Sequence, residues 1–441
     1  MDIFFPAQTL PLFHVFAPCF TAPSFASFQS SLWALMVVEG RKCLTRLARG
    51  AFFHQRDLSR WERFLAEHRW SVTAVTERLV RLVVTQLGDQ LQVQGAYVLG
   101  TDTTLVAKTA TRMLGVQTWK DPSGTADRGT YLVGHHWHLV GVISRWGGRW
   151  RCWPLVMRLV PGLQGARQGL VGEAVEPMRC WEAAIAALLE VTRCVGEASV
   201  RVVADASSSK APFLNGLRAR GSAVISRLRT DAVGGDDPAP QPPSTRGRKP
   251  HSGSKWTLAS LLTTETSTRE RLTLSGTLTE VVCVVRDVWR RDVAQKVRVV
   301  VLEGAKEPII LVRTDLALSA LQIIEISGAR CSIELTIRDV QQHCGLGDSQ
   351  CTTTLAILPC VPLACVALCL WRLLLLEHVE AGWLQVTAPR VSLPEAPLRF
   401  QRVRRALRAW ATRQVLFAHA APGADVAKIE RDHEPLLHML M

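Results

Sequence analysis

Val200-Arg201-Val202-Val203-Ala204-Asp205 decides how the chain is read. Four of its six residues are Val or Ala, and β-branched residues pack well on a pleated, buried surface. The run is short and closes on a carboxylate, so it reads as an inner strand delivering an aspartate to the edge of a sheet. Before it, Glu176 to Val195 has apolar residues at helical spacing; after it, Lys210 to Arg220 reads as a helix and Ala223-Val224-Ile225-Ser226 as another strand.

Upstream, Tyr97-Val98-Leu99-Gly100-Thr101-Asp102 is a second strand that closes on an aspartate, with polar Thr103 and Thr104 after it. Leu132 to Ser144 and Trp150 to Leu159 follow, joined by the turn Gly147-Gly148, which completes a three-strand meander. The resulting order, βββαβα with a helix still to come, is that of the ribonuclease H fold. The class expected is therefore α/β, a ribonuclease H-like catalytic core with a β-rich insertion, flanked by helical N-terminal and C-terminal regions.

Composition agrees with a globular protein. Hydrophobic residues make up 48% and charged residues 20% of 441 residues, enough for two or three domains. The net charge is +14, and Arg outnumbers Lys, which suits bidentate contacts to phosphate and a polyanionic partner. No Cys-x-x-Cys pair or matching His spacing forms a zinc site, and most cysteines lie inside apolar runs, as expected of buried thiols in a reducing cytoplasm. Met1 to Trp33 is apolar but carries Asp2 where a signal peptide has basic residues. Leu355 to Trp371 is uncharged, yet short for a membrane span and interrupted by Pro359 and Pro362; a buried core helix is the expectation, with no membrane partner.

The divisions expected are a poorly defined segment 1–40, a helical DNA-binding region 41–95, and the first part of the catalytic domain 96–233. A Pro/Arg-rich arm and β-rich insertion (234–320), the rest of the catalytic domain (321–385) and a basic C-terminal region (386–441) follow.

The third carboxylate is Glu334. Arg330, Glu334, Arg338 and Gln341 stand at i, i+4, i+8 and i+11, so they share one face of a helix. By spacing alone this is an exposed ion-pair ladder. An aspartate that closes a strand is by itself a turn or cap residue. Taken together, three hard oxygen donors can hold two magnesium ions, one activating a water or 3′-hydroxyl and the other stabilising the leaving oxygen at phosphorus.

A resemblance joins these pieces. Arg330 to Gln350, with Arg330-Cys331-Ser332-Ile333-Glu334 at its head, resembles the third catalytic block of bacterial insertion-sequence DDE transposases. These carry a β-rich insertion and the signature Tyr-x-x-Arg-x-x-x-Glu, then Lys after six more residues. Val203-Ala204-Asp205 with Ile225 to Ala232 resembles the second block, and Thr101-Asp102-Thr103-Thr104 with Gly134-His135-His136-Trp137 the first. The resemblance implies Asp102, Asp205 and Glu334 as catalytic metal ligands for two Mg2+ ions, with Mn2+ able to substitute. It implies cleavage and strand transfer at terminal inverted repeats, and DNA as partner through a homodimer assembled on it. It also implies a bacterial cytoplasmic protein that joins the nucleoid when bound to DNA.

Arg330 would hold a phosphate near the transposon end, with Arg338 and Gln341 on the same DNA-binding stripe. Trp289 in the insertion would stack on an extruded base, and Arg248 and Lys249 in the arm would track the backbone. The signature tyrosine falls on Ser327 and its lysine on Gln341. A degenerate copy that binds transposon ends without cutting is the alternative those two positions raise.

Overall fold

A computed structural model describes residues 9–50, 58–121 (without 68 and 110–112), 130–162 (without 147) and 178–238 (without 197 and 209). It further describes 253–380 (without 275–276, 291–292, 294, 315 and 352–353), with 400 and scattered positions from 404 to 432. Arg248 and Lys249 lie outside the described residues.

Thirteen strands form one sheet. They are β1 (Gln92–Val93), β2 (Ala96–Ala107), β3 (Gln117–Lys120), β4 (Tyr131–Trp146), β5 (Arg149–Val160), β6 (Val200–Ala204) and β7 (Ala223–Leu228). Next come β8 (Val233–Gly235), β9 (Lys255–Thr257), β10 (Thr268–Leu274), β11 (Thr277–Arg290), β12 (Gln295–Leu302) and β13 (Ile309–Arg313). The principal helices are α1 (Ala22–Val37), α2 (Leu58–Ala66), α3 (Val72–Leu87), α4 (Cys180–Val195), α5 (Ala211–Arg218), α6 (Ala320–Gly328), α7 (Cys331–Cys344) and α8 (Thr354–Glu380).

One half of the sheet runs β5-β4-β2-β6-β7, with β4 antiparallel to both β2 and β5, and β6 parallel to both β2 and β7. Long antiparallel partners give the meander, and α4 and α5 are the crossovers that parallel pairing requires. This is the strand order and polarity of a ribonuclease H-like core. The insertion extends the same sheet: β13 pairs antiparallel with β7, and β12, β11 and β10 follow outward.

Three local features differ from the sequence reading. Asp102 does not end its strand. Thr103 to Ala107 continue β2, because β4 is long enough to pair with them as far as Ala107↔Gly134. A further short strand, β3, pairs with the start of β4. Residues 1–40 were expected to be poorly defined, yet α1 is a buried helix in which 11 of 16 residues are buried. Its apolar residues, together with Ser27, Gln29, Ser30 and Ser31, go inside on every side, so no one-faced stripe announces it. The three serine hydroxyls donate to carbonyls four residues back, which makes their burial tolerable.

The long apolar helix α8 packs against β5 and reaches α1, α2 and α3. It is long and apolar enough to cross a membrane, but 89% of the Ala356–Leu375 window is buried inside the protein. Arg372, which the sequence places at the end of an apolar run, lies within the helix and is buried among its partners.

Candidate active site

Strand register brings the two aspartates to the same level. Parallel pairing of β2 with β6 closes at Gly100↔Val203. Asp102, inside β2, and Asp205, one residue past the end of β6, each lie two residues beyond that last pair of parallel strands. Side chains alternate along a strand, so equal displacement from a pair is the arrangement that sends both carboxyls the same way. The peptide N–H of Thr103 donates to Asp102 Oδ1 at 2.7 Å, and that of Ser208 to Asp205 Oδ1 at 3.2 Å. The Ser226 hydroxyl, from β7, donates to the Asp205 carbonyl at 2.8 Å and ties the end of β6 to its neighbour.

Glu334 comes from α7, which follows α6 almost without a break. Ser319 caps α6 by accepting from the Gln322 N–H at 3.3 Å, while the Gln322 side chain accepts from the Ser319 N–H at 2.9 Å. The inner face of α7, with Ile333, Thr336, Ile337 and Val340 buried, lies on the sheet. Ile333 sits over Gly100, whose missing side chain leaves room for it. At the far end Gln341 Nε2 donates to Thr104 Oγ1 at 3.0 Å. The helix is thus fastened over β2 on both sides of Asp102.

Arg330 joins two of the three carboxylates. Its Nη1 donates to Asp102 Oδ2 at 3.2 Å and its Nη2 to Glu334 Oε1 at 2.5 Å. The ladder read from the sequence is therefore half of a bridge that also reaches across 228 residues to β2. Burial pushes the Asp102 carboxyl up to about 6; the Thr103 N–H and Arg330 pull it down, and Asp205 and Glu334 raise it further. Asp102 therefore feels the charge of both other acids.

Among the described residues, no three His, Cys, Asp or Glu side chains stand close enough together to hold an ion as they are placed. The donor set nevertheless fits a hard divalent cation in kind, because Asp102, Asp205 and Glu334 offer carboxylate oxygens and two of them share the Arg330 guanidinium. Arg330 supplies the positive charge in this arrangement.

The remaining expected residues are placed as follows. Arg338 lies on α7 beside a cleft bounded by β5. Ser327 is half-buried on α6. Trp289, on β11, is also half-buried, and its indole N–H donates to Asp237 Oδ1 at 2.6 Å. His135 and His136, given no role from sequence, are structural: His135 Nε2 lies 2.8 Å from the Leu114 carbonyl, and His136 packs edge-on to Trp119. His138, for which the sequence carries no signal, is buried and hydrogen-bonded to the Thr101 hydroxyl. Its position at the strand partner of Thr103 is visible only once β2 and β4 are paired.

The strand order and polarity define a ribonuclease H-like fold. A family model described as DDE superfamily endonuclease matches residues 15–280, more than half of the chain, and the protein belongs to that family. No curated protein matches it. The matched span includes Asp102 and Asp205 and stops before Glu334.

Proposed function

We propose that this chain is a DNA transposase that makes metal-dependent cuts at the terminal inverted repeats of an insertion sequence and joins the freed ends to target DNA. The observation that carries the reading is the shared level of Asp102 and Asp205 beyond the Gly100↔Val203 pair, with Glu334 linked to Asp102 through Arg330. Asp102, Asp205 and Glu334 would hold two Mg2+ ions, with Mn2+ a possible substitute. When bound, such ions supply Lewis-acid activation of a nucleophile and charge stabilisation at phosphorus.

The chain's own residues set the stage for that chemistry. The N–H of Thr103 orients the Asp102 carboxylate, and the N–H of Ser208 does the same for Asp205. Arg330, released from the acids, is placed to take a phosphate of the substrate strand; a guanidinium suits that bidentate task. Gln341 occupies the position of the signature's lysine and contacts Thr104 as a neutral amide, so it offers the strand a hydrogen bond and no charge.

The test uses DNA that carries the inverted repeats flanking this reading frame. Wild-type protein with Mg2+ is expected to nick the ends and join them to a second duplex; Asp205→Ala is expected to do neither while still binding the ends. Wild-type protein that binds the ends but never cuts them, where a relative does, would leave the degenerate end-binding copy as the better description.

A further inference from the structure

A second feature borders α7 on the side away from Asp102. A cleft of about 530 Å³ opens between the start of β5 and the outer face of α7. Arg149, Trp150 and Arg151 form one wall, Arg338 and Asp339 belong to the other, and Arg372 of α8 reaches it from below. Asp339 is committed to Arg372, with Nη2 to Oδ2 at 2.9 Å, and Arg372 also donates to the Cys152 carbonyl. That leaves three guanidinium groups, of Arg149, Arg151 and Arg338, with no ion pair to any described residue.

Such a cluster is costly without an anion, and the molecule holds it in place. Arg151 Cζ stacks 4.7 Å from the centre of the Trp146 ring, and Arg145 caps the ring of Trp150 at 4.8 Å. The Nε atoms of Arg151 and Arg372 are buried with no hydrogen-bond partner among the described residues. Burial, reinforced by Arg372 and Arg149, pushes the Arg151 guanidinium down to about 10. Polar groups that are buried and unsatisfied cost stability, and a site that keeps several calls for a ligand to repay them.

Position selects the ligand. Arg338 follows Glu334 by one turn of the same helix, about 6 Å along the axis at 1.5 Å per residue. A nucleic-acid strand leaving the carboxylates across α7 would meet Arg338 and then the cleft. We infer that the cleft formed by Arg149, Arg151 and Arg338 holds backbone phosphates of the DNA strand flanking the scissile position. This deepens the proposed function and rests on that reading for the direction of the strand.

The experiment measures binding of fluorescein-labelled single-stranded DNA, without metal, by anisotropy over a series of salt concentrations. Each phosphate contact contributes about 0.7 to the salt slope for single strands, so Arg149→Gln/Arg151→Gln is expected to lower the slope by about 1.4 and weaken binding on the order of twenty-fold near 0.1 M salt. Arg149→Gln alone changes an exposed side chain, keeps the fold if the double variant does not, and is expected to lose half of that slope.

Arg269→Gln/Arg271→Gln, far out on the insertion and paired to Glu280, is expected to bind as the wild type does. Unchanged slopes in both cleft variants would overturn the inference, as would an equal loss in the control. Displacement of the oligonucleotide by inorganic phosphate at equal concentration would assign the cleft to a small free anion and overturn it too. Failure of wild-type protein to cut DNA would strike the proposed function and leave these binding results standing.

Discussion

The side chain of Ile333 occupies the space that a Cβ on Gly100 would need, with Ile333 Cγ1 2.7 Å from that position and Ile143 Cδ1 2.9 Å. Gly100 is the last β2 residue paired with β6, and Ile333 immediately precedes Glu334. The close approach of helix to strand keeps Glu334 and Asp102 within reach of one guanidinium, that of Arg330. Gly100→Val is expected to lift α7 and abolish metal-dependent nicking, with an overpacking cost of about 1–3 kcal/mol in urea unfolding. Pairing Gly100→Ala with Ile333→Ala should recover part of the stability lost in Gly100→Ala alone, because the two residues share one volume. Strict additivity would show that the helix is positioned by something else.

Arg330 stands between Asp102 and Glu334 as their counter-charge. A cation bound by those carboxylates competes with it. Arg330→Gln is therefore expected to bind Mn2+ more tightly than wild type, on the order of tenfold (about 1.4 kcal/mol), in calorimetric titration without DNA. Nicking should fall in the same variant, because the phosphate contact is lost. Weaker Mn2+ binding would mean that Arg330 organises the acids for the metal and does not compete with it.

Much of this was legible in the sequence because strands announce themselves by alternation and by β-branched runs. The core order β5-β4-β2-β6-β7 follows from runs such as Val200 to Ala204 and from the helices between them. What was hidden depended on partners distant in the chain. The extension of β2 past Asp102 requires the length of β4, and the Gly100–Ile333 contact joins residues whose separate signals are a strand glycine and a helix isoleucine. The four-residue spacing from Arg330 to Glu334 was correct as an ion pair, but no local pattern could add Asp102 to it. The helix α1 went unseen because burial on all sides erases the periodicity by which a surface helix is recognised.

Acid sensitivity should come from β4. His135 and His138 are buried, and burial pushes them down to about 4 and about 3. Their folded values lie below the unfolded one, so the neutral rings contribute stability that is complete above about pH 6.5 and is lost as pH falls toward the folded values. Each contributes a slope of about 1.4 kcal/mol per pH unit in that window, an order-of-magnitude figure. Urea unfolding between pH 7 and 5 should show the decline. His135→Asn is expected to flatten it, since its amide can still donate to the Leu114 carbonyl without taking up a proton. An equal decline in that variant would place the acid sensitivity elsewhere.

Buried Arg372 pairs with half-buried Asp339 and ties α8 to α7. Arg372 also reaches the Thr336 hydroxyl at 3.3 Å and the Cys152 carbonyl, so it pins both helices to β5. Removing one partner of such a pair leaves a charge in a dry environment, whereas replacing the charge with an apolar side chain of similar size avoids that cost. Asp339→Ala is accordingly expected to destabilise by about 3–5 kcal/mol, and Arg372→Met by clearly less. If the two variants unfold at the same urea concentration, Asp339 is not the counter-charge on which Arg372 depends. The cleft above it would then hold four uncompensated guanidinium groups, Arg372 among them, where the structure pairs one of the four.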